Sequence, residues 1–156
     1  MILRRLQPSE TREMHEWIKE HHQMKSAPPG HIAAFEFIEG KERVGGLLIG
    51  RPSSKGYNPD FVVEFSRVCF ADGIPENAGS RALAMGRRWI RINLPGIRLV
   101  LSYHNPATHN GTMYLADGWC PLGITKAKHG QSGWASRQGR KFEETYVPKQ
   151  RWVRSP

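Results

Sequence analysis

Several things the chain lacks narrow it before any motif is read. Only two cysteines are present, Cys69 and Cys120, and they form no Cys-x-x-Cys pair. Neither a disulfide framework nor a cysteine-rich zinc site is expected, and a reducing cytoplasm is the natural compartment. No apolar run approaches the length a membrane-crossing helix needs, and the start, Met1-Ile2-Leu3-Arg4-Arg5, lacks the basic-then-apolar order of a signal peptide. No membrane partner is therefore expected. Acidic side chains are scarce, 14 Asp and Glu against 23 Lys and Arg, for a net charge of +9. What remains is ordinary: 156 residues, 38% hydrophobic and 24% charged, enough for one globular domain around one core.

The shortage of acid is uneven. Eight basic residues between 124 and 156 (Lys126, Lys128, Arg137, Arg140, Lys141, Lys149, Arg151 and Arg154) meet only Glu143 and Glu144, which leaves that stretch at +6. Arg81, Arg87, Arg88 and Arg91 make a second block with no acid nearby. Such a surplus draws a polyanionic partner, either nucleic acid or the phosphates of a nucleotide cofactor. A solvated basic face is the alternative that charge alone leaves open. The chain divides accordingly into a core, 1–128, and a basic extension, 129–156, expected to pack on the core or stay partly mobile.

Periodicity orders the core as β-α-β-β-β-α-β-α, a mixed α/β pattern without internal repeat. A short edge strand at 2–6 ends at Pro8, and Ser9 is placed to cap a helix carrying Met14, Trp17 and Ile18 on one stripe. A hairpin follows over 32–38 and 43–50, turning at 39–42. Residues 61–70 are almost continuously apolar, as in a central strand buried on both faces. A loop over 71–79 leads to a helix from Ser80 to about Leu94, then a strand at 97–103 and a short helix at 111–116.

Three places carry chemistry. Asn77-Ala78-Gly79-Ser80-Arg81 puts small residues where a strand-exit loop becomes a helix, and unsatisfied N–H groups at such a terminus suit a diphosphate. A plain capped helix is the alternative. Tyr114, four residues before Gly118-Trp119, can donate a proton to a leaving group, or can simply pack with its hydroxyl as a polar handle. Glu64 interrupts the apolar strand, where burial raises a carboxyl pKa and suits a general base, while a structural ion pair is the competing role. Strict alternation sets Glu64, Ser66, Val68 and Phe70 on one face of that strand and Arg67 on the other. His21, His22, His104 and His109 are scattered, so spacing alone decides nothing about a metal.

A strand, a small-residue loop, a helix, a second strand and then Tyr-x-x-x-Gly-aromatic together resemble the GNAT acetyltransferase superfamily. The resemblance implies a mixed, mostly antiparallel twisted sheet, splayed at its centre, with helices on both faces. It implies acetyl-CoA or another acyl-CoA as cosubstrate, its diphosphate on Asn77, Ala78, Gly79, Ser80 and Arg81 and its pantetheine arm along Arg67, Val68, Cys69 and Phe70. Tyr114 then falls on the general acid. A closer likeness runs from Trp17 to Lys126: His21-His22, Pro28-Pro29-Gly30-His31, Gly50-Arg51-Pro52, Glu64-Phe65-Ser66-Arg67-Val68-Cys69, Ser102-Tyr103, and His109-x-Gly111-x-x-Tyr114-x-Ala116. These are similar to the Mom-like branch, phage proteins that modify adenine in DNA and shield it from restriction inside a bacterial host cell. Asn105 stands where that branch commonly carries Asp, and Asn cannot act as a base.

The resemblance implies an acyltransferase acting on a DNA base, with Tyr114, Glu64, His109, Tyr103 and Asn105 as its catalytic candidates and DNA as its partner. Two other functions fit the same motifs: an N-acetyltransferase for a small-molecule or protein amine, and a non-catalytic DNA-binding protein that keeps the fold.

Overall fold

The computed structural model describes residues 1–22, 24–28, 30–126 and 147–156. Pro29 of the proline motif lies outside the described residues, as do Lys128, Arg137, Arg140, Lys141, Glu143 and Glu144 of the basic extension. Strand β1 (Ile2–Arg5) is followed by a 3-10 turn (Pro8–Glu10) and helix α1 (Thr11–His21). Strands β2 (Ala33–Glu39), β3 (Glu42–Gly50) and β4 (Val62–Phe70) come next, then α2 (Ala78–Asn93), β5 (Leu99–His104), α3 (Thr112–Ala116), β6 (Cys120–Ile124) and β7 (Gln150–Arg154). Ser9 does not cap α1. It sits inside the 3-10 turn, whose N-terminus is closed instead by Gln7 and Glu10, the Gln7 N–H donating to Glu10 Oε2 at 2.7 Å.

The seven strands form one sheet in the order β1-β2-β3-β4-β5-β7-β6. Every neighbouring pair is antiparallel except β4 and β5, and helices cover both faces, as the resemblance implies. On one face α2 buries Ala82, Leu83 and Ile90 against Phe35, Leu47, Ile49, Val63, Phe65 and Val100. Burying each large side chain contributes roughly 1.5–3 kcal/mol. Gly86 permits the closeness, since a Cβ there would stand 2.7 Å from Leu47 Cδ2. On the other face α1 lays Met14 and Ile18 on Ala34, Leu48 and Cys69.

Two strands are absent from the sequence-based order. β6 is exposed along its whole length, and β7 pairs with β5 on one side and β6 on the other. The last part of the stretch read as a basic extension is thus a strand inside the sheet, with Trp152 buried in the main core.

Candidate functional site

An opening in the sheet sets the site. β4 pairs with β5 only from Val62↔Leu99 to Phe65↔Ser102, whereas β4 pairs with β3 as far as Phe70 and β5 pairs with β7 as far as His104. Beyond Phe65 the two central strands therefore diverge, and the β4 edge facing β5 offers backbone N–H and C=O groups that no strand among the described residues takes.

A bulge changes which side chains meet there. Arg67 pairs with Leu48 and Phe65 with Ile49, so Ser66 is the extra residue, its hydroxyl donating to the Leu48 carbonyl at 3.1 Å. Inserting one residue reverses the alternation beyond it. Val63 and Phe65 before the bulge, and Val68 and Phe70 after it, all meet the α2 face, while Cys69 meets the α1 face. Strict alternation is corrected accordingly: Glu64 and Arg67 share the α1 face, and Val68 and Phe70 do not accompany Glu64.

On that face Glu64 is buried, 7% exposed. Its Oε2 accepts from the Ser53 N–H at 2.7 Å and the Ser53 hydroxyl at 2.8 Å, and Oε1 has no hydrogen-bond partner among the described residues. Burial pushes its carboxyl above the usual range, opposed by the Ser53 bonds and by Arg67 and Lys149. Tyr103, half-buried on β5, is likewise raised by burial and then by Glu64. Arg151, its register partner on β7, lies over the Tyr57 ring at 5.9 Å.

Tyr114 lies on the opposite face, 2% exposed. Its ring stacks on Trp152 with centroids 5.1 Å apart, and its hydroxyl is 2.7 Å from Ser102 Oγ, on the last rung before the sheet opens. Burial pushes the phenol up to about 12, so it stays protonated. His104 is held in place by Trp152, whose Nε1 donates to His104 Nδ1 at 2.7 Å, and burial lowers its pKa. Asn105 builds the turn after β5: its Oδ1 accepts from the Ala107 N–H at 2.9 Å and its carbonyl from the Thr108 and His109 N–H groups. His109 is exposed, beside Thr108 Oγ1 at 3.0 Å.

The loop before α2 lies on the Tyr114 side. Asn77 makes no side-chain cap, the Ala78 N–H bonds to the Pro75 carbonyl, and Arg81 N–H returns to Asn77. No backbone acceptor among the described residues takes the N–H of Gly79 or Ser80, which leaves them for an anion. Gly79 is buried, and a Cβ there would stand 2.9 Å from Met113 Cβ, so this glycine also seats α2 against α3. Arg81 is exposed. Arg67 directs its side chain away from this loop, with Nε donating to the Ser26 carbonyl at 2.9 Å. Cys69 is an unreactive thiol, pushed up to about 12 by burial.

Sequence reasoning misses Ser53, Ser102 and Trp152. Ser53 lies eleven residues from Glu64 in a turn-rich connection, and Trp152 reads only as part of a charged stretch. Ser102 is overshadowed by the adjacent Tyr103. Among the described residues no group of three or more His, Cys, Asp or Glu converges on a point, and no helix is long and apolar enough to cross a membrane.

The family model described as the Mom protein family matches residues 5–155. No curated protein matches. Among solved structures, the fold is similar to that of a GNAT-family acetyltransferase from Streptococcus pneumoniae (TM-score 0.65, 10% identity, 99% of this chain and 98% of that one). It is also similar to an aminoglycoside 6'-acetyltransferase type Ii (0.64, 12%, 99% and 97%). A Bacillus subtilis acetyltransferase solved in complex with CoA is a third match (0.61, 9%, 99% and 97%).

Proposed function

The chain belongs to the Mom protein family and has the fold of GNAT acetyltransferases, and from that premise we propose that it transfers an acyl group from acyl-CoA to an amine of a DNA base, adenine first among them. The observation that carries the reading is the placement of Glu64 and Tyr114 on opposite faces of one opening in the sheet. A donor reaching the opening from the Tyr114 face and an acceptor from the Glu64 face meet within it.

Bound there, acyl-CoA supplies a carbonyl activated as a thioester. The free β4 edge beyond Phe65 suits an extended amide-bearing arm, and the Gly79 and Ser80 N–H groups suit a diphosphate. Glu64 Oε1 accepts the proton that the amine loses as it forms its bond to the acyl carbon. A β4 backbone N–H holds the oxygen on which charge develops. The carbon–sulfur bond breaks, and Tyr114, accepting from Ser102, points its own proton at the departing sulfur. Full transfer from a phenol near 12 to a thiolate of ordinary pKa is uphill by about 5 kcal/mol, so Tyr114 acts by hydrogen bonding as the bond breaks, with the proton completing its passage through solvent. One proton leaves the nitrogen and one reaches the sulfur, and the protein is returned unchanged.

A base stacked in a duplex cannot reach the opening, so the acceptor is single-stranded or flipped. Mass spectrometry of nucleosides from cells expressing the protein tests the proposal: a base heavier by an acyl-derived group supports it. Unmodified DNA together with acetyl-CoA binding in calorimetry would pass the role to an acetyltransferase of small-molecule or protein amines. DNA binding without any acyl-CoA binding would leave a non-catalytic DNA-binding protein.

A further inference from the structure

His104 takes no step in the transfer, yet three rings meet at it beneath the opening. It lies on β5 two residues beyond Ser102, and so on the face where Ser102 meets the Tyr114 hydroxyl. The His104, Trp152 and Tyr114 rings are nearly parallel: 8° between Trp152 and Tyr114, 26° between His104 and Trp152, and 22° between His104 and Tyr114. An indole has a single polar atom, and that of Trp152, Nε1, donates to His104 Nδ1 at 2.7 Å. An accepting Nδ1 places the ring's proton on Nε2 and requires the neutral form, since an imidazolium has no acceptor. Gly111, just before α3, lets the stack close. Its φ of +74° is left-handed, and a Cβ there would stand 2.7 Å from Trp152 Cζ2 and 3.0 Å from His104 Cε1. The backbone that starts the Tyr114 helix is thus pressed against both partners of the bond. A second indole, Trp119, meets Tyr114 at 80°, with its own Nε1 donating to Asp117 Oδ2 at 2.7 Å. Each indole against the tyrosine is therefore anchored by its N–H, one to a carboxylate and one to an imidazole.

We propose that His104 is a positioning residue for the acyl transfer: through Nδ1 it holds the Trp152 indole, and through the stack on Trp152 it aims the Tyr114 hydroxyl. The proposal deepens the acyl-transfer reading and rests on it for the part Tyr114 plays at the departing sulfur. A hydroxyl bonded to Ser102 alone can swing as its ring tilts, whereas a ring set between two anchored indoles cannot. Misplacing a reacting group by about 1 Å costs on the order of 10²-fold, so a loosened stack shows in turnover. Binding of the coenzyme, at the β4 edge and the α2 terminus, is left alone. Burial lowers the His104 pKa, a bond to the His109 backbone opposes that, and the charge of a protonated His109 ring adds to it. Tyr114 faces His104 from α3 and stays protonated, while β7 presents Trp152 and Gln150, both uncharged. The lowered pKa keeps the acceptor available into the acid range, and the Trp152 bond is lost as pH falls through it.

The first arm of the test is NMR on the full chain and needs no substrate. The Trp152 Nε1–H resonance, assigned with Trp152→Phe, should lie downfield and move upfield on acidification, with the same midpoint as the His104 ring carbons. In His104→Asn, whose Oδ1 stands near the place of Nδ1 and takes no proton, the resonance should hold its position through that range. Glu64 shapes the acid limb of activity from the other face, and the indole signal separates His104 from it. The second arm follows thiol release from acetyl-CoA with a single-stranded oligonucleotide as acceptor. His104→Leu should lower kcat by about 10–10²-fold while KM for acetyl-CoA stays within about twofold. His104→Asn should restore most of kcat, with thermal unfolding as the check that both variants fold. Should His104→Leu fail to fold, the indole titration and His104→Asn still decide. An indole resonance that ignores the His104 titration, or an unchanged kcat in His104→Leu, overturns the proposal and leaves acyl transfer standing. So does a His104→Asn enzyme that keeps the indole signal yet is as slow as His104→Leu, since His104 would then act on the substrate itself. A parent chain that releases no thiol overturns the proposal together with the acyl-transfer reading.

Discussion

Ser53→Ala isolates one force acting on Glu64. The wild-type carboxyl is raised by burial and held back by two bonds from Ser53, one from the hydroxyl at 2.8 Å and one from the backbone N–H at 2.7 Å. Alanine removes the first and keeps the second. A hydrogen bond to a charged group is worth about 1.5–3 kcal/mol, and a tenfold change in a proton-binding constant corresponds to about 1.4 kcal/mol, so the Glu64 titration should move upward by roughly one to two pH units. Ser53 is exposed, and water taking the hydroxyl's place favours the lower figure. Because the ionised carboxylate accepts the amine proton, activity rises with pH through this titration. The acid limb of kcat/KM should therefore move to higher pH by about one unit or more. On that limb the variant should be about tenfold slower for each pH unit the limb has moved, recovering fully at higher pH. Thiol release from acyl-CoA, followed across the pH range, measures it. A rate loss equal at every pH, or an unmoved limb, would refute Glu64 as the base. Stability offers a second readout. A carboxyl raised in the folded state stabilises most at low pH, and that stability is lost as pH rises from the ordinary Glu value through the folded one. Ser53→Ala extends the window upward, so urea midpoints should separate more at neutral than at acid pH.

Tyr114→Phe keeps the stacking on Trp152 but removes the hydroxyl that meets Ser102. Activity should fall by about 10²–10⁴, with roughly 1 kcal/mol lost in urea unfolding; unchanged activity would make Tyr114 a packing residue and turn attention to His109 and His104. Gly79→Ala presses a methyl to 2.9 Å from Met113 Cβ and should cost about 1–3 kcal/mol in the same assay; an unaltered midpoint would mean that α2 and α3 are not seated as described. Ending the chain before Arg137 removes β7 and Trp152 along with charge, and should abolish the near-UV circular dichroism signal; a truncated chain that still unfolds cooperatively would contradict the place of β7 in the sheet.

The order of elements from β1 to α3 is legible because each carries its own period. Met14 and Ile18 on α1, the apolar run of β4 and the stop at Pro95-Gly96 after α2 need no partner to be read. β6 and β7 are not legible for an equally local reason. Cys120-Pro121-Leu122-Gly123-Ile124 contains two residues that strands disfavour, and Gln150–Arg154 alternates poorly, with a single buried side chain, Trp152. β6 is a strand because β7 is beside it, and β7 because β5 and β6 flank it. The site escapes sequence reasoning at one residue. Two-residue alternation presumes unbroken pairing, and the Ser66 bulge reverses it. The signal is present in Glu64-Phe65-Ser66-Arg67-Val68, where two polar residues in succession interrupt the run, but only the β3 register says which of them is extra.

The place of β7 between β5 and β6 has a consequence for the folding pathway. Among the described residues β6 pairs only with β7, which comes later in the chain, so β6 leaves the preceding helix before its described neighbour has been made. Until the later segment returns, β5 presents an open edge beside the hydrophobic core, the kind of edge that recruits other chains. Closing it is a long-range event, slow compared with helix formation or the β2–β3 hairpin. The ring that stacks on Tyr114, Trp152, arrives with that closure. The aromatic stack beneath the opening is thus completed late, and an aggregation-prone intermediate with β1 to β5 formed and β6 undocked should be the characteristic failure of a chain whose last crossing is weakened.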